Sequence, residues 1–214
     1  MFFMFIFVGL GNPGIEYEDT RHNVGRIMLT AIARNFHAEE FVRDKKLNAL
    51  TTVAEVAGEK VKLIMPETFM NKSGSSIAPL ILTAGKANLK KAEQLVVIYD
   101  DLDLPFGTVK MSFNRSSGGH RGVESIIKSI KTEAFVRIRI GISPTTPSGK
   151  MKKPLGDKVV GDFILGKFKP AELDALKKLS KKVIQAVETF TSEGSSSKAL
   201  AVSRQKAMGE INSN

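Results

Sequence analysis

The sequence predicts an α/β fold: a single domain in which a mixed β-sheet is surrounded by helices. Strand-like apolar runs alternate along the chain with segments of helical period. Residues 49–56 and 61–65 read as two strands separated only by Ala57-Gly58-Glu59-Lys60, a hairpin that adds an antiparallel pair. The 214 residues suffice for one such domain with a real core and would crowd two. The domain is expected over 1–194, followed over 195–214 by a short C-terminal helix and a polar tail.

Residues 1–8 are apolar and uncharged, as in a buried central strand, and too short to span a membrane. They lack the basic start and the cleavage site of a signal peptide. A glycine-rich turn follows, Gly9-Leu10-Gly11-Asn12-Pro13-Gly14, and then Thr20-Arg21-His22-Asn23. Val24, Ile27, Met28, Ala31, Ile32 and Phe36 recur at helical spacing, with Asp19 or Thr20 as cap and His22 in the first turn. Residues 41–48 carry no clear period. Pro66 ends the second hairpin strand, residues 67–71 form a loop, and a helix over 73–84 must accommodate Pro79 by a kink or a later start. Residues 86–91 read as a basic connector.

Residues 95–99 form a second buried strand, and Asp100-Asp101 leave its carboxyl end, where open α/β sheets bind ligands. Residues 107–113 alternate, with Val109, Met111 and Phe113 on one face and Thr108, Lys110 and Ser112 on the other. A flexible loop over 114–122 leads to a helix at 123–131. Residues 135–142 alternate again, with Arg137 and Arg139 on the polar face. Residues 143–158 read as a mobile loop and 159–168 as a short strand or extended segment. The longest helix starts at Lys169-Pro170 and stops at Gly194.

The net charge is +10 and the pI near 9.7, which suggests a polyanionic partner, nucleic acid before membrane. A generally basic, solvated surface is the plain alternative. With no cysteine, thiol nucleophiles, disulfides and thiolate metal sites are excluded. The G-x-G-x-x-G of residues 9–14 is a weak dinucleotide signal, because the acids of Glu16-Tyr17-Glu18-Asp19 would repel a pyrophosphate. There is no nucleophile elbow, Walker loop or H-E-x-x-H. Asp100, Asp101 and Asp103 could bind magnesium, but one of them as a histidine partner is preferred. Of three histidines, His37 lies in polar sequence and reads as surface. His22 follows a buried strand at a helix start, where the helix dipole disfavours the imidazolium, so it is the candidate general base. Asn12 and Asn71 are amides suited to holding carbonyl oxygens.

Assembled in order, these segments resemble the bacterial-type peptidyl-tRNA hydrolases. The resemblance rests on Val8-Gly9-Leu10-Gly11-Asn12-Pro13-Gly14, Tyr17, Thr20-Arg21-His22-Asn23-Val24-Gly25, Thr68-Phe69-Met70-Asn71, Asp100-Asp101-Leu102-Asp103-Leu104-Pro105, Gly118-Gly119-His120, Arg137-Ile138-Arg139-Ile140-Gly141-Ile142 and Phe163-Ile164-Leu165-Gly166-Lys167. It implies a cytoplasmic, mostly monomeric esterase with no metal or other cofactor, acting on peptidyl-tRNA. It implies that His22 activates water and that Asp100 holds and polarises that histidine. It further implies that Asn12 and Asn71 position the peptidyl ester, that Met70 lines the cleft, and that His120 sits in a gate loop. Lys110 and Arg139 match a clamp on the 5′-phosphate end, and Tyr17 belongs to the binding set. Where the family commonly has asparagine after the gate histidine, this chain has Arg121, whose guanidinium could bond a carbonyl or phosphate. Ser112 replaces a second basic position, and residues 199–202 match the family poorly. A non-catalytic RNA-binding protein on the same fold is the alternative reading.

Overall fold

A computed structural model describes residues 5–193. Its centre is a seven-stranded mixed sheet of order β2-β3-β4-β1-β7-β9-β8. The strands are β1 (Phe5–Gly9), β2 (Val42–Asp44), β3 (Ala49–Val56), β4 (Glu59–Pro66), β7 (Leu95–Pro105), β8 (Val109–Phe113) and β9 (Val136–Ser143). A separate two-stranded ribbon pairs β5 (Leu82–Thr83) with β6 (Lys86–Ala87). β1 runs parallel to β4 and β7, and β7 parallel to β9, whereas the β3–β4 hairpin and β8 are antiparallel additions.

Two cores cover the two faces, because the central strands are apolar on both sides. On one face Phe5, Phe7, Ile98 and Ile138 pack against Met28 and Leu29 of α1 (Val24–Asn35) and Val183 and Phe190 of α6 (Pro170–Glu193). On the other, Ile6, Val8, Val97 and Tyr99 meet Ile77 of α2 (Gly74–Ile81), Ala92 of α3 (Leu89–Glu93) and Val123 and Ile126 of α4 (Arg121–Ile130).

Several local expectations are corrected. Residues 159–168 are not a strand: most of them belong to α5 (Asp157–Leu165), which starts after Gly156 at φ 88°. None of its residues is fully buried, and its short apolar run of Val159, Val160, Phe163, Ile164 and Leu165, rich in β-branched and aromatic side chains, suits a strand as well as a helix. Residues 42–44 form an edge strand, and the basic connector at 86–91 is a strand followed by α3. The helix containing Pro79 spans Gly74–Ile81, ending two residues after the proline rather than at 84. β7 continues through Asp100 and Asp101, with a register shift against β9 between Asp101 and Pro105. The expected C-terminal helix and tail lie outside the described residues.

His22 is held ahead of α1, in a single 3₁₀ turn (Arg21–Asn23), rather than in its first α-helical turn. Neither Asp19 nor Thr20 caps by side chain; the Thr20 hydroxyl donates to the Tyr17 carbonyl instead. What fixes the turn is backbone contact. A Cβ built on Gly25 would lie 2.2 Å from the Ile98 carbonyl oxygen and 2.6 Å from the Leu10 nitrogen. One built on Gly9 would lie 2.5 Å from the Gly25 carbonyl oxygen. The start of α1 thus rests on the carboxyl ends of β1 and β7 with no room for a side chain. Gly25→Ala should destabilise the fold by about 1–3 kcal/mol or more, since the atoms it would strike are backbone. A urea midpoint equal to that of the wild type would contradict this contact.

Candidate active site

β7 carries Asp100 to the sheet's carboxyl edge, and the turn before α1 carries His22 to the same place. The two side chains, nearly buried, meet there: His22 Nδ1 lies 2.9 Å and 3.0 Å from the two carboxylate oxygens of Asp100. An ionised carboxylate only accepts, so Nδ1 carries the proton and the lone pair of neutral His22 sits on Nε2. Both residues line a cleft of about 830 Å³ with Asn12, Met70, His120 and Arg121.

A second histidine shares the carboxylate. His120 Nε2 is 3.0 Å from Asp100 Oδ1. Its other nitrogen, Nδ1, accepts the Val123 N–H at 3.3 Å as the N-cap of α4. Both His120 nitrogens are therefore committed, whereas His22 Nε2 has no hydrogen-bond partner among the described residues. Of the two imidazoles on Asp100, only His22 can take a proton from a molecule in the cleft.

Burial alone would raise the Asp100 carboxyl, but His22 and His120 outweigh it and hold the group well below the usual carboxylate range. The neighbouring Tyr99, whose ring lies 4.8 Å from that of His120, is pushed up to about 12 by burial and stays a neutral phenol. Among the described residues, the donor atoms of His22, Asp100 and His120 lie within 4.8 Å of one another, a set that could hold a cation. Coordination through those nitrogens would require both imidazoles to give up the protons they place on Asp100. His120 would then also need its proton on Nδ1, which removes the cap from α4. The three-aspartate alternative has no common focus: Asp101 pairs with Arg139 at 2.5 Å and Asp103 with Lys153 at 2.5 Å, leaving only Asp100 to the histidines.

Asn12 is oriented by its neighbours. Its backbone N–H donates to Asn23 Oδ1 and its carbonyl accepts from Asn23 Nδ2, both at 2.9 Å. Its side-chain oxygen accepts the Met70 N–H at 2.9 Å. With Oδ1 engaged by that N–H, the Nδ2 hydrogens are offered to the cleft, which suits a carbonyl ligand. Asn71 is exposed on the cleft wall, and Met70 is buried beneath it.

The remaining expected residues sit farther out. Tyr17 does not line the cleft; it packs edge-on, at 6.4 Å between centroids, against the exposed Phe69, which does. Lys110 and Arg139 are cross-strand partners on β8 and β9, in register with Tyr99 of β7. Neither lines the cleft, and at about 4.8 Å per strand Lys110 stands roughly 10 Å from the β7 backbone.

Three features escaped sequence reasoning. Asn23 was legible as a polar residue beside His22, but nothing local links it to Asn12. The cleft wall from Val160, Gly161 and Ile164 was hidden by reading α5 as extended. The His120–Asp100 bond spans 20 residues and left no local trace. A second cavity, about 680 Å³ between α1 and α6, touches Asn12 but neither His22 nor Asp100.

Comparison with known proteins agrees with this geometry. A family model described as peptidyl-tRNA hydrolase matches residues 6–210. The peptidyl-tRNA hydrolase of Geobacillus kaustophilus is 42% identical over 185 residues, 86% of this chain and 91% of that protein. That of Halalkalibacterium halodurans is 39% identical over 188 residues, 88% of this chain and 94% of that one. A crystal structure of peptidyl-tRNA hydrolase from Acinetobacter baumannii superposes with a TM-score of 0.79 at 27% identity, covering 98% of this chain and 94% of that one. A carboxylate-steered histidine at the carboxyl edge of this mixed sheet is thus set in a chain that belongs to the peptidyl-tRNA hydrolase family.

Proposed function

We propose that His22 is the general base of this enzyme and that Asp100 fixes its tautomer. The reaction is hydrolysis of the ester joining a peptide to tRNA. His22 Nε2 takes a proton from water as the water oxygen adds to the ester carbonyl; the bond from that carbonyl carbon to the tRNA 3′-terminal sugar oxygen then breaks, and the sugar oxygen takes the proton back from His22. An alkoxide leaves more readily than an amine would, so a positioned water and a neutral imidazole suffice. The observation that carries this reading is the commitment of every nitrogen on the two histidines except His22 Nε2.

Asn12 and Asn71 hold the acyl-peptide backbone, with Met70 as an apolar floor. A neutral N-acyl group is rewarded there, while a free ammonium would be desolvated without a partner. Arg121, exposed at the cleft rim, bonds a substrate carbonyl or phosphate, and Tyr17 supports the rim through Phe69. Lys110 and Arg139 bind the tRNA backbone, with Arg139 braced by Asp101. The chain works as a monomer in the cytoplasm, as its family resemblance implies, and its lack of cysteine suits that compartment. Among the described residues no helix is long and apolar enough to cross a membrane. A purely RNA-binding protein would need neither the His22–Asp100 pair nor a cleft beside it.

His22→Ala should lower turnover of N-blocked aminoacyl-tRNA about 10²- to 10⁴-fold while tRNA binding persists. Undiminished turnover would remove His22 from the mechanism. Asp100 has a folded pKa below its unfolded one, so its ionised form contributes stability that is complete above the unfolded value, about 3.9. That contribution disappears as pH falls toward the folded value. The stability of the wild type relative to Asp100→Asn should therefore decline as pH drops below about 4, as followed by urea denaturation. A difference that stays constant between pH 5 and pH 3 would argue against the pairing. Lys110→Ala should weaken tRNA binding and flatten its dependence on salt by about one unit of log–log slope. An unchanged slope would place the phosphate contacts elsewhere.

A further inference from the structure

We infer that His120 is a positioning residue for His22, acting through Asp100 rather than through the substrate. This rests on His22 being the base. The proton on His120 is not free to choose its nitrogen. Nδ1 receives the Val123 N–H, so it must be bare, and Nε2 must carry the hydrogen that points at Asp100 Oδ1. The helix cap thereby sets the tautomer, and the tautomer makes His120 a permanent donor to the carboxylate.

The consequence for His22 is geometric. Asp100 is buried, and an ionised carboxylate there needs more than one donor. His120 supplies the second on Oδ1, which leaves Oδ2 to His22 Nδ1 alone and keeps the carboxylate plane aimed at it. The His120 ring is itself held on three sides. Tyr99 lies 4.8 Å away, the His22 ring 5.1 Å away, and a Cβ on Gly122 would come within 3.1 Å of His120 Cε1. Its side chain is only 9% exposed.

The segment before it is tied at its other end, where the buried Arg137 guanidinium donates to the Arg115 carbonyl. Between these ties lie Gly118 and Gly119, with φ of 59° and 83°.

Two substitutions separate the two jobs of His120. In His120→Asn the side-chain oxygen stands as many bonds from Cβ as Nδ1 did, so it caps α4 but cannot reach Asp100. In His120→Gln the amide nitrogen stands where Nε2 did, so it donates to Asp100 but caps poorly. His120→Asn should keep the wild-type Tm to within a degree or two and lose about tenfold to a hundredfold in kcat, with KM changed less than twofold. His120→Gln should melt a few degrees lower and recover most of kcat. In an Asp100→Asn background, His120→Asn should add less than a twofold further loss, because the carboxylate it serves is gone.

Full kcat in His120→Asn, a loss confined to KM, or losses that multiply in the double variant would each overturn the inference. A loss confined to KM would make His120 a substrate contact. His22→Ala distinguishes the two levels. If it keeps turnover, the base assignment fails; if it abolishes turnover while His120→Asn is silent, only the role of His120 fails.

Discussion

The close approach of three backbone segments, at Gly9, Gly25 and Ile98, is the constraint from which the site follows. Side chains at Gly9 or Gly25 would hold α1 off the sheet, since their Cβ atoms would enter carbonyl oxygens at 2.5 Å and 2.2 Å. With none present, the first turn of α1 sits directly over the ends of β1 and β7. The turn before it has no other place to go than beside Asp100. The 2.9 Å contact between residues 78 apart in sequence is thus a result of main-chain packing, and neither side chain has to reach far. Rigid placement of this kind is what a general base needs, because an error near 1 Å in its position costs much of its effect.

Charge in the molecule is divided by task. The net charge of +10 favours a polyanion, yet the chemical centre is a carboxylate with two imidazoles, mostly shielded from solvent. Arg139 is braced by Asp101, and Lys110 next to it is exposed. Arg137 is different: it is fully buried, its guanidinium lies 4.0 Å from the Phe135 ring centroid, and it donates to the carbonyls of Glu133, Phe135 and Arg115. That cation serves the fold. A buried charge spread over carbonyl acceptors fixes the ends of two loops at once, which hydrophobic packing alone would leave free to slide.

Much of this was legible in the sequence, for reasons that also mark where legibility stops. β1, the β3–β4 hairpin and α6 announce themselves because their apolar residues recur with the period of the element that buries them. His22 and Asp100 stand out because each follows a buried strand or its turn. Alternation put Arg137 and Arg139 on one face correctly, but it could not say that one would be sealed against the Phe135 ring and three carbonyls and the other left partly open. α5 was misread because its short apolar run, rich in β-branched and aromatic residues, suits a strand as well as a helix. His120 was legible only as a loop histidine: its roles as cap and as donor depend on α4 and β7 arriving from separate parts of the chain.

With Lys110 in the phosphate-binding role proposed for it, phosphate binding and ester chemistry occupy different places. Lys110 lies roughly 10 Å from the β7 backbone, at about 4.8 Å per strand, which is about one Debye length at ordinary ionic strength. The tRNA backbone can therefore be held by solvated cations whose attraction is strong and unspecific, while the cleft keeps a different character. Asn12 offers it N–H donors, with its oxygen engaged by the Met70 N–H. Its walls include Ile164 and Val160, and the lone pair of neutral His22 Nε2 is bound to no other described residue. Arg139, one strand from β7, is taken up by Asp101, and that pairing leaves the Asp100 carboxylate to the imidazoles.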